Sequence, residues 1–153
     1  MSIEARLKEL GIELPPAAAP VANYVPFAID GNLIVISGQV PRDADGNLAF
    51  VGKLGREFGV DEGYQAARNC ALNCLAQLRA AAGSLDKVRR IIRVGGFVNC
   101  TEDFTQQPQV INGASDIIVE IMGDKGRHAR AAVGNSALPG GVATEVEMIA
   151  ALD

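Results

Sequence analysis

The stretch from Arg127 to Ala151, RHARAAVGNSALPGGVATEVEMIAA, decides how the rest of the chain is organised. Its first part, residues 129–138, is mostly small and apolar, and the Pro-Gly-Gly run at 139–141 is a turn signal. Residues 142–152 then alternate between apolar and polar, as in a strand with one buried face. The sequence therefore predicts two strands joined by a tight turn.

The charges in this stretch are its unusual feature. Arg130 stands at the start of an otherwise uncharged strand, and Glu145 and Glu147 share one face of the last strand. A guanidinium matches a carboxylate through two parallel hydrogen bonds and stays charged under physiological conditions. From the residues alone, an internal ion pair for Arg130 and a solvated face for the two glutamates are the favoured interpretations.

The predicted turn sets the distance between Arg130 and Glu145. If the turn closes a simple hairpin, Arg130 faces the region of residue 150 and Glu145 faces Asn135. The two side chains then lie about five residues apart along the ladder, roughly 16 Å at ~3.3 Å per residue. One small ligand cannot touch both. We therefore predict that, if both residues act, Arg130 of one subunit meets Glu145 of a neighbouring subunit.

Composition sets the protein class. The chain has 153 residues, 48% hydrophobic and 21% charged, which suits one globular domain with a substantial core. The net charge of -4 argues against a nucleic-acid partner, because phosphate binding needs a basic face. We find no signal-peptide pattern and no apolar run of membrane-spanning length, so we expect no membrane association and a cytoplasmic location.

The cysteines and the histidine suggest no redox or metal chemistry. Cys70, Cys74 and Cys100 are odd in number and lack a framework spacing, so we expect reduced core residues. His128 is the only histidine, and no ligand cluster surrounds it in the sequence. We therefore expect neither a metal nor another cofactor.

The N-terminal segment is predicted to be separate from the main domain. Residues 2–10 form a short amphipathic helix, capped by Ser2 and ended by Gly11. A Pro/Ala linker follows at 15–20. We expect residues 1–20 to be an appendage that packs on the domain or on a neighbouring subunit, with a docking motif for another protein as the less supported alternative. Residues 21–153 are expected to form a single domain.

The remaining elements predict the fold class. In order, the patterns predict strands at 23–29 and 33–38, a short strand near 48–51, a loop at 52–59 and a helix at 62–82 capped by Asp61. A strand at 88–99, with a bulge or bend at Gly95-Gly96, and a helix at 108–122 follow. Two helices on one face of a mixed sheet of about six strands make a two-layer α+β fold. The strand at 33–38 is apolar enough to be buried on both faces, so self-association through the open sheet face is expected.

Two motifs in the right order give the chain a resemblance to a known family. The first is A-R-A-A-V-x-x-x-A-L-P at 129–139, followed by E-V-E-M-I-A at 145–150. The second is Tyr24-Val25, then Gly31-Asn32, then S-G-Q-V-P at 37–41. The chain resembles the Rid (reactive intermediate deaminase) family, also called the YjgF or endoribonuclease L-PSP family, over roughly residues 21–152.

The resemblance implies a structure and an activity. It implies a chorismate-mutase-like fold assembled as a homotrimer, in which the sheets form a central barrel and the sites lie in clefts between subunits. It implies hydrolysis of small imines or enamines derived from amino acids, which gives 2-keto acids and ammonia. In this family the arginine at the position of Arg130 holds the substrate carboxylate, and the glutamate at the position of Glu145 activates or positions a water molecule.

Four further residues are candidates for the site. Gly38 lets a ligand approach the backbone, and a free N–H at Ser37 or Gly38 could donate to a carboxylate or an oxyanion; a plain strand end is the alternative. Tyr24 could line the pocket, although a core tyrosine is equally consistent with the sequence. Asn112 matches a family asparagine if a few extra residues near 106–109 are allowed.

Departures from the family pattern leave the exact function open. Better-known members carry a cysteine two positions after the arginine, where this chain has Ala132. The 52–59 loop and the N-terminal helix also differ from short members, which indicates a divergent branch and leaves the substrate open. A binding protein for small carboxylates without enzymatic activity is the alternative, since a fold can outlast its reaction. A ribonuclease is the weakest candidate, because the acidic chain offers no basic-aromatic surface.

Overall fold

The structure, a computed structural model, describes residues 1–19 and 22–153. Three helices and five strands follow one another in the order α1 (Ile3–Glu9), β1 (Phe27–Asp30), β2 (Leu33–Gln39), α2 (Val60–Ala82), β3 (Val88–Asn99), α3 (Gln107–Met122), β4 (Ala129–Asn135) and β5 (Thr144–Leu152). Single 3-10 turns lie at Leu85–Lys87, Gly123–Gly126 and Pro139–Gly141. No helix in these two ranges is both long and apolar enough to cross a membrane.

The five strands form one mixed sheet with the order β1-β2-β5-β3-β4. β5 lies at the centre and runs antiparallel to β2 and β3, while β4 pairs with β3 in parallel. The two-layer α+β prediction is confirmed, with one strand fewer than the six expected. The predicted strand near 48–51 makes only isolated bridges, Arg42 with Leu48 and Val51 with Val142.

The predicted hairpin between the last two strands is wrong, because β3 lies between β4 and β5. Arg130 on β4 pairs with Val94 on β3, and Val94 pairs in turn with Met148 on β5. The turn at Pro139–Gly141 is a 3-10 turn with positive φ angles at both of its glycines. It lies in a longer connection that carries the chain past β3 before β5 begins.

Helices α2 and α3 cover one face of the sheet and pack closely against each other. A Cβ atom placed on Gly113 of α3 would lie 2.0 Å from the backbone oxygen of Tyr64 on α2. The predicted cap at Asp61 is wrong: Gly59 is the N-cap of α2, and its N–H donates to the Glu62 carboxylate at 3.1 Å. Asp61 instead lies in the first turn, where a negative charge favours the helix dipole.

The glycine pair of β3 makes room for neighbouring side chains instead of forming a bulge. The register irregularities of β3 fall near its start, between Val88 and Arg90 and between Ile91 and Arg93, so the predicted bulge at Gly95-Gly96 is wrong. A Cβ atom on Gly96 would lie 2.5 Å from an Ile111 side-chain carbon of α3. The glycine therefore lets α3 lie close to the sheet.

The sheet face opposite the helices is open in the single chain. On β2, Ile34 and Ile36 are buried under the helices, whereas Leu33 and Val35 are 42% and 48% exposed on the open face. The prediction that this strand is buried on both faces is therefore wrong for an isolated subunit. Val133 on β4 adds to the exposed apolar surface of the same face.

The N-terminal helix packs on its own domain. Ser2 Oγ accepts from Ala5 N–H at 3.0 Å, which confirms the predicted cap, and Ile3 and Leu7 are buried in the common core. The Asp86 carboxylate accepts from the backbone N–H of Ile3 at 2.6 Å. The predicted linker ends at residue 20, and the predicted domain begins at residue 21. Both of these residues lie outside the described ranges.

Candidate functional site

One cavity of about 230 Å³ brings together four of the residues predicted from the sequence. We call it the glutamate pocket and define it by Tyr24, Ser37, Gly38 and Glu145, which all line it. Its remaining walls come from several connecting segments of the chain, namely Ala18, Ala19, Pro26, Gln39, Val40, Arg42, Leu48, Pro139 and Gly140.

Gly38 is in direct contact with the Glu145 carboxylate. The register of β2 shifts between Ile36 and Gln39, where an extra residue enters the ladder against β5. A Cβ atom on Gly38 would lie 2.6 Å from Glu145 Oε1 and 3.0 Å from its carboxyl carbon. Only glycine leaves the carboxylate in this position.

Ser37 uses its donors to hold the neighbouring segment. Its hydroxyl donates to the Val25 carbonyl at 2.7 Å, and its backbone N–H donates to the Pro26 carbonyl at 2.9 Å. The free N–H expected at Ser37 is therefore already engaged. These bonds fix the chain next to Tyr24, which is 52% exposed and so is not a core tyrosine.

The surroundings of Glu145 favour proton transfer. Burial raises the pKa of this carboxyl, and the nearby charge of Glu147 raises the pKa further. Glu147 is itself paired with Arg93 at 3.1 Å. In the described part of the chain no side chain donates a hydrogen bond to Glu145. A carboxyl with a raised pKa and no fixed partner is suited to accepting and returning a proton.

A second group of side chains surrounds Arg130, and we call it the arginine cluster: Arg130, Asn112, Ser115 and His128. Arg130 Nη1 donates to Asn112 Oδ1 at 2.8 Å and to Ser115 Oγ at 3.2 Å. Ser115 Oγ lies 2.9 Å from His128 Nε2. Asn112 and Ser115 lie on α3, one turn apart. His128 is the residue before β4, and Arg130 lies at the start of that strand.

The guanidinium of Arg130 has neutral partners only. Within residues 1–19 and 22–153, no carboxylate lies within ion-pair distance of it, so the internal ion pair is not what the structure shows. Both of its hydrogen bonds come from Nη1, and Nη2 and Nε make none to described residues. A partly buried cation with one free edge can bind an anion such as a carboxylate.

The two groups lie on opposite faces of the sheet. Arg130 is in register with Val94 and Met148, which are buried beneath the helices. Glu145 alternates with the buried Val146 and therefore points to the open face. The two positions are also two strands and about three residues apart, roughly 14 Å in the plane of the sheet. A single chain therefore does not bring Arg130 and Glu145 to one ligand. The cause is their location on opposite faces of the sheet, whereas the sequence-based prediction derived the separation from a hairpin.

The cysteines offer no accessible thiol to either group. All three are free and buried, as predicted. Burial raises the pKa of Cys70 to about 12 and the pKa of Cys74 well above its usual value. Ala132, on the same face as Arg130, packs at the border of the core. A thiolate nucleophile is therefore not part of this site.

Three residues that line or support these groups were not singled out from the sequence. His128 lies two residues before Arg130, so strand periodicity places both on one face, and Ser115 lies one helical turn after Asn112. These two spacings would have identified His128 and Ser115 from the sequence. Arg42, which lines the glutamate pocket, carries no comparable signal, because a loop brings it there.

Comparison with known proteins places the chain in a family. The family model described as "YjgF/chorismate_mutase-like, putative endoribonuclease" matches residues 4–152, a range that includes all of α1 except its first residue. Protein TCP17 of Trypanosoma cruzi is 45% identical over 152 residues, covering 99% of this chain and 94% of that protein. The crystal structure of Atu1372, a protein of unknown function from Agrobacterium tumefaciens, is 48% identical with a TM-score of 0.90, covering 99% and 94% of the two chains.

A third relative, a "putative endoribonuclease" from Shewanella oneidensis, has a crystal structure that is 38% identical with a TM-score of 0.95 and covers 99% of this chain and 100% of its own. The likeness in sequence and in structure spans nearly the whole length of each protein. The chain belongs to the YjgF/chorismate-mutase-like family.

Proposed function

We propose that the protein is a hydrolytic deaminase of small imines or enamines derived from amino acids. The observation that carries this proposal is the division of the chemistry between two faces of one chain. The arginine cluster can hold a carboxylate, and both ring nitrogens of its histidine, His128, are engaged with Ser115 Oγ and the Gly126 carbonyl oxygen. The glutamate pocket has a carboxylate suited to proton transfer, and the one cation among its described lining residues, Arg42, donates to the Gly46 carbonyl at 2.9 Å. Each half needs the other to perform a hydrolysis.

The halves can meet in a homotrimer. The open sheet face exposes large apolar side chains, including Val35 and Val133, which favours burial against other subunits. Because β4 is an edge strand, Arg130 of one subunit would face Glu145 of its neighbour across a cleft at the border of that contact. The site would then be complete only between subunits, and an isolated chain would be inactive.

The reaction follows from the groups available. The free edge of Arg130 binds the substrate carboxylate through two hydrogen bonds and fixes the adjacent imine carbon. Glu145 of the neighbouring subunit takes a proton from a water molecule, whose oxygen attacks that carbon. The same carboxyl returns that proton to the nitrogen, which gives a carbinolamine. It then carries the hydroxyl proton to the nitrogen as the C–N bond breaks, so that ammonia leaves as the carbonyl forms. One imine and one water give one 2-keto acid and one ammonia.

Ammonia release tests this proposal. 2-Iminobutanoate is generated in the assay by an amino-acid oxidase, and ammonia formation is followed with and without the protein. We expect faster release with the wild type, loss of both ligand binding and release with Arg130→Ala, and retained binding with slow release for Glu145→Gln. Glu147→Gln is the comparison variant on the same strand and face: it removes the charge that raises the pKa of Glu145 but leaves the Glu145 carboxylate, so ammonia release should continue.

The same assay separates the enzyme from a binding protein. A protein that binds 2-oxobutanoate through Arg130 but does not accelerate ammonia release would be a carboxylate-binding module, and the deaminase proposal would be wrong. If Glu145→Gln releases ammonia at the wild-type rate, the role assigned to Glu145 would be wrong even in an active enzyme.

A further inference from the structure

A chain of hydrogen bonds links the backbone to Arg130 through two side chains. His128 Nδ1 lies 2.5 Å from the Gly126 carbonyl oxygen, and His128 Nε2 lies 2.9 Å from Ser115 Oγ. Ser115 Oγ in turn lies 3.2 Å from Arg130 Nη1. All three side chains are partly buried, on the helix face of the sheet edge. The chain ends on the only cationic group in the arginine cluster.

The proton positions along this chain follow from the chemistry of its two ends. A carbonyl oxygen only accepts, so His128 Nδ1 carries a hydrogen. A guanidinium only donates, so Ser115 Oγ accepts from Arg130. The serine hydroxyl then has its own hydrogen to give, and Nε2 of a neutral imidazole is the acceptor that lies within reach. One arrangement therefore satisfies every group.

The surroundings keep the ring neutral. Burial lowers the pKa of His128, and the Arg130 charge lowers the pKa further, against the opposing effect of the hydrogen bond to Gly126. The nearby charged groups are engaged elsewhere. On α3, Asp116 accepts from the Tyr64 hydroxyl at 2.7 Å. In the turn before β4, Arg127 pairs with Asp124. On β3, Arg90 donates to the backbone oxygen of Arg127.

We propose that His128 is a positioning residue that holds Arg130 through Ser115, with its ring proton on Nδ1. Asn112 fixes Arg130 Nη1 from one side, and Ser115 fixes the same nitrogen from the other. Both contacts use Nη1, so they turn the edge formed by Nη2 and Nε toward the ligand. This inference rests on the proposed function for the identity of the ligand, a small 2-keto acid or imino acid.

NMR of the histidine tests the proton arrangement without any substrate. His128 is the only histidine in the chain, so ring signals from histidine-labelled protein need no assignment. We expect the Nδ1–H tautomer at pH 7.5, the opposite of the form that free imidazole side chains favour in water. In Ser115→Ala, Nε2 loses its donor, and its nitrogen shift should move. A wild-type ring in the Nε2–H tautomer would overturn the proposal.

Ligand binding tests the effect on Arg130. His128→Leu removes the acceptor for Ser115, and we expect 2-oxobutanoate to bind about tenfold more weakly, with KM raised and kcat nearly unchanged. His128→Gln keeps an oxygen that can accept from Ser115 and should retain most of the affinity. The double variant Ser115→Ala/His128→Leu should be no weaker than the worse single variant, because both changes break the same chain.

The two proposals can fail separately. A wild type that releases no ammonia contradicts the deaminase, while the tautomer still tests the positioning role. An active wild type whose His128→Leu variant binds 2-oxobutanoate equally well contradicts the positioning role alone. If circular dichroism shows that His128→Leu does not fold, Ser115→Ala and His128→Gln take its place. The proposal is overturned if Ser115→Ala binds 2-oxobutanoate with wild-type affinity. It is also overturned if His128→Gln loses as much affinity as Ser115→Ala.

Discussion

Gly38→Ala is the substitution that should separate activity from stability most clearly. The new Cβ atom would lie 2.6 Å from Glu145 Oε1, whereas ordinary contacts begin at 3.4 Å, so the carboxylate must retreat by about 0.8 Å. A displacement of that size at a proton-transfer group can reduce kcat by roughly 10- to 100-fold. That factor corresponds to about 1.4 to 2.7 kcal/mol in the activation barrier.

The same substitution should leave the fold intact. Gly38 does not have a positive φ, so alanine meets no backbone strain, and the atom it displaces is the end of a flexible side chain. Replacing glycine in a strand should change the free energy of unfolding by no more than about 1 kcal/mol. Urea denaturation measures this term, and ammonia release from 2-iminobutanoate measures kcat in the same preparation.

Gly95→Ala provides a matched control for Gly38→Ala. Its Cβ atom would lie 2.8 Å from Glu147 Oε1, a similar clash with a carboxylate on the same face but outside the glutamate pocket. Once light scattering shows an unchanged assembly, this variant should keep wild-type turnover. Wild-type kcat in Gly38→Ala, or an equal loss in both variants, would refute the reasoning that Gly38 positions Glu145.

Three further predictions concern stability and reactivity. Gly113→Ala should lower the free energy of unfolding by at least about 2 kcal/mol in urea, since its Cβ atom would lie 2.0 Å from the rigid backbone oxygen of Tyr64; an unchanged midpoint would contradict the close helix packing. Glu145→Gln should raise the melting temperature at pH 7 to 8, because the raised pKa of Glu145 means that ionisation costs stability as pH rises through it. That gain should disappear as pH falls below the ordinary pKa of 4.5, where the carboxyl becomes protonated in both states, and a gain that persists in that range would contradict the pKa assignment. Cys70 should resist alkylation in the native protein at pH 8, because burial raises its pKa to about 12. Mass spectrometry measures the labelling, and rapid labelling of native Cys70 would contradict this prediction. Cys70→Ala should retain activity.

Periodicity predicted the helices and most strands, because their apolar faces follow the geometry of the elements. The span of β3 was predicted to the residue, and Ser2 caps α1 as expected. The order of the strands in the sheet was harder to predict from the sequence. A turn with two glycines favours a hairpin locally, but β3 pairs with both β4 and β5, and long-range pairing of this kind leaves no local sequence signal.

The site shows a similar division. The charges of Arg130 and Glu145 are conspicuous in apolar strands, and both were singled out from the sequence. The partners of Arg130 on α3 were harder to identify, since Ser115 meets it only through the packing of α3 against β4. The engaged donors of Ser37 were also unpredictable, because they depend on the path of the chain at residues 25 and 26.

The most direct test of a site shared between subunits is complementation. Arg130→Ala and Glu145→Gln proteins are purified separately, mixed in equal amounts, dissociated and reassembled, and ammonia release is measured. If Arg130 and Glu145 at each site come from different subunits, random mixing should restore about a quarter of the wild-type activity. If both residues act within one subunit, mixed assemblies should remain as inactive as the parents, and that result would contradict the account.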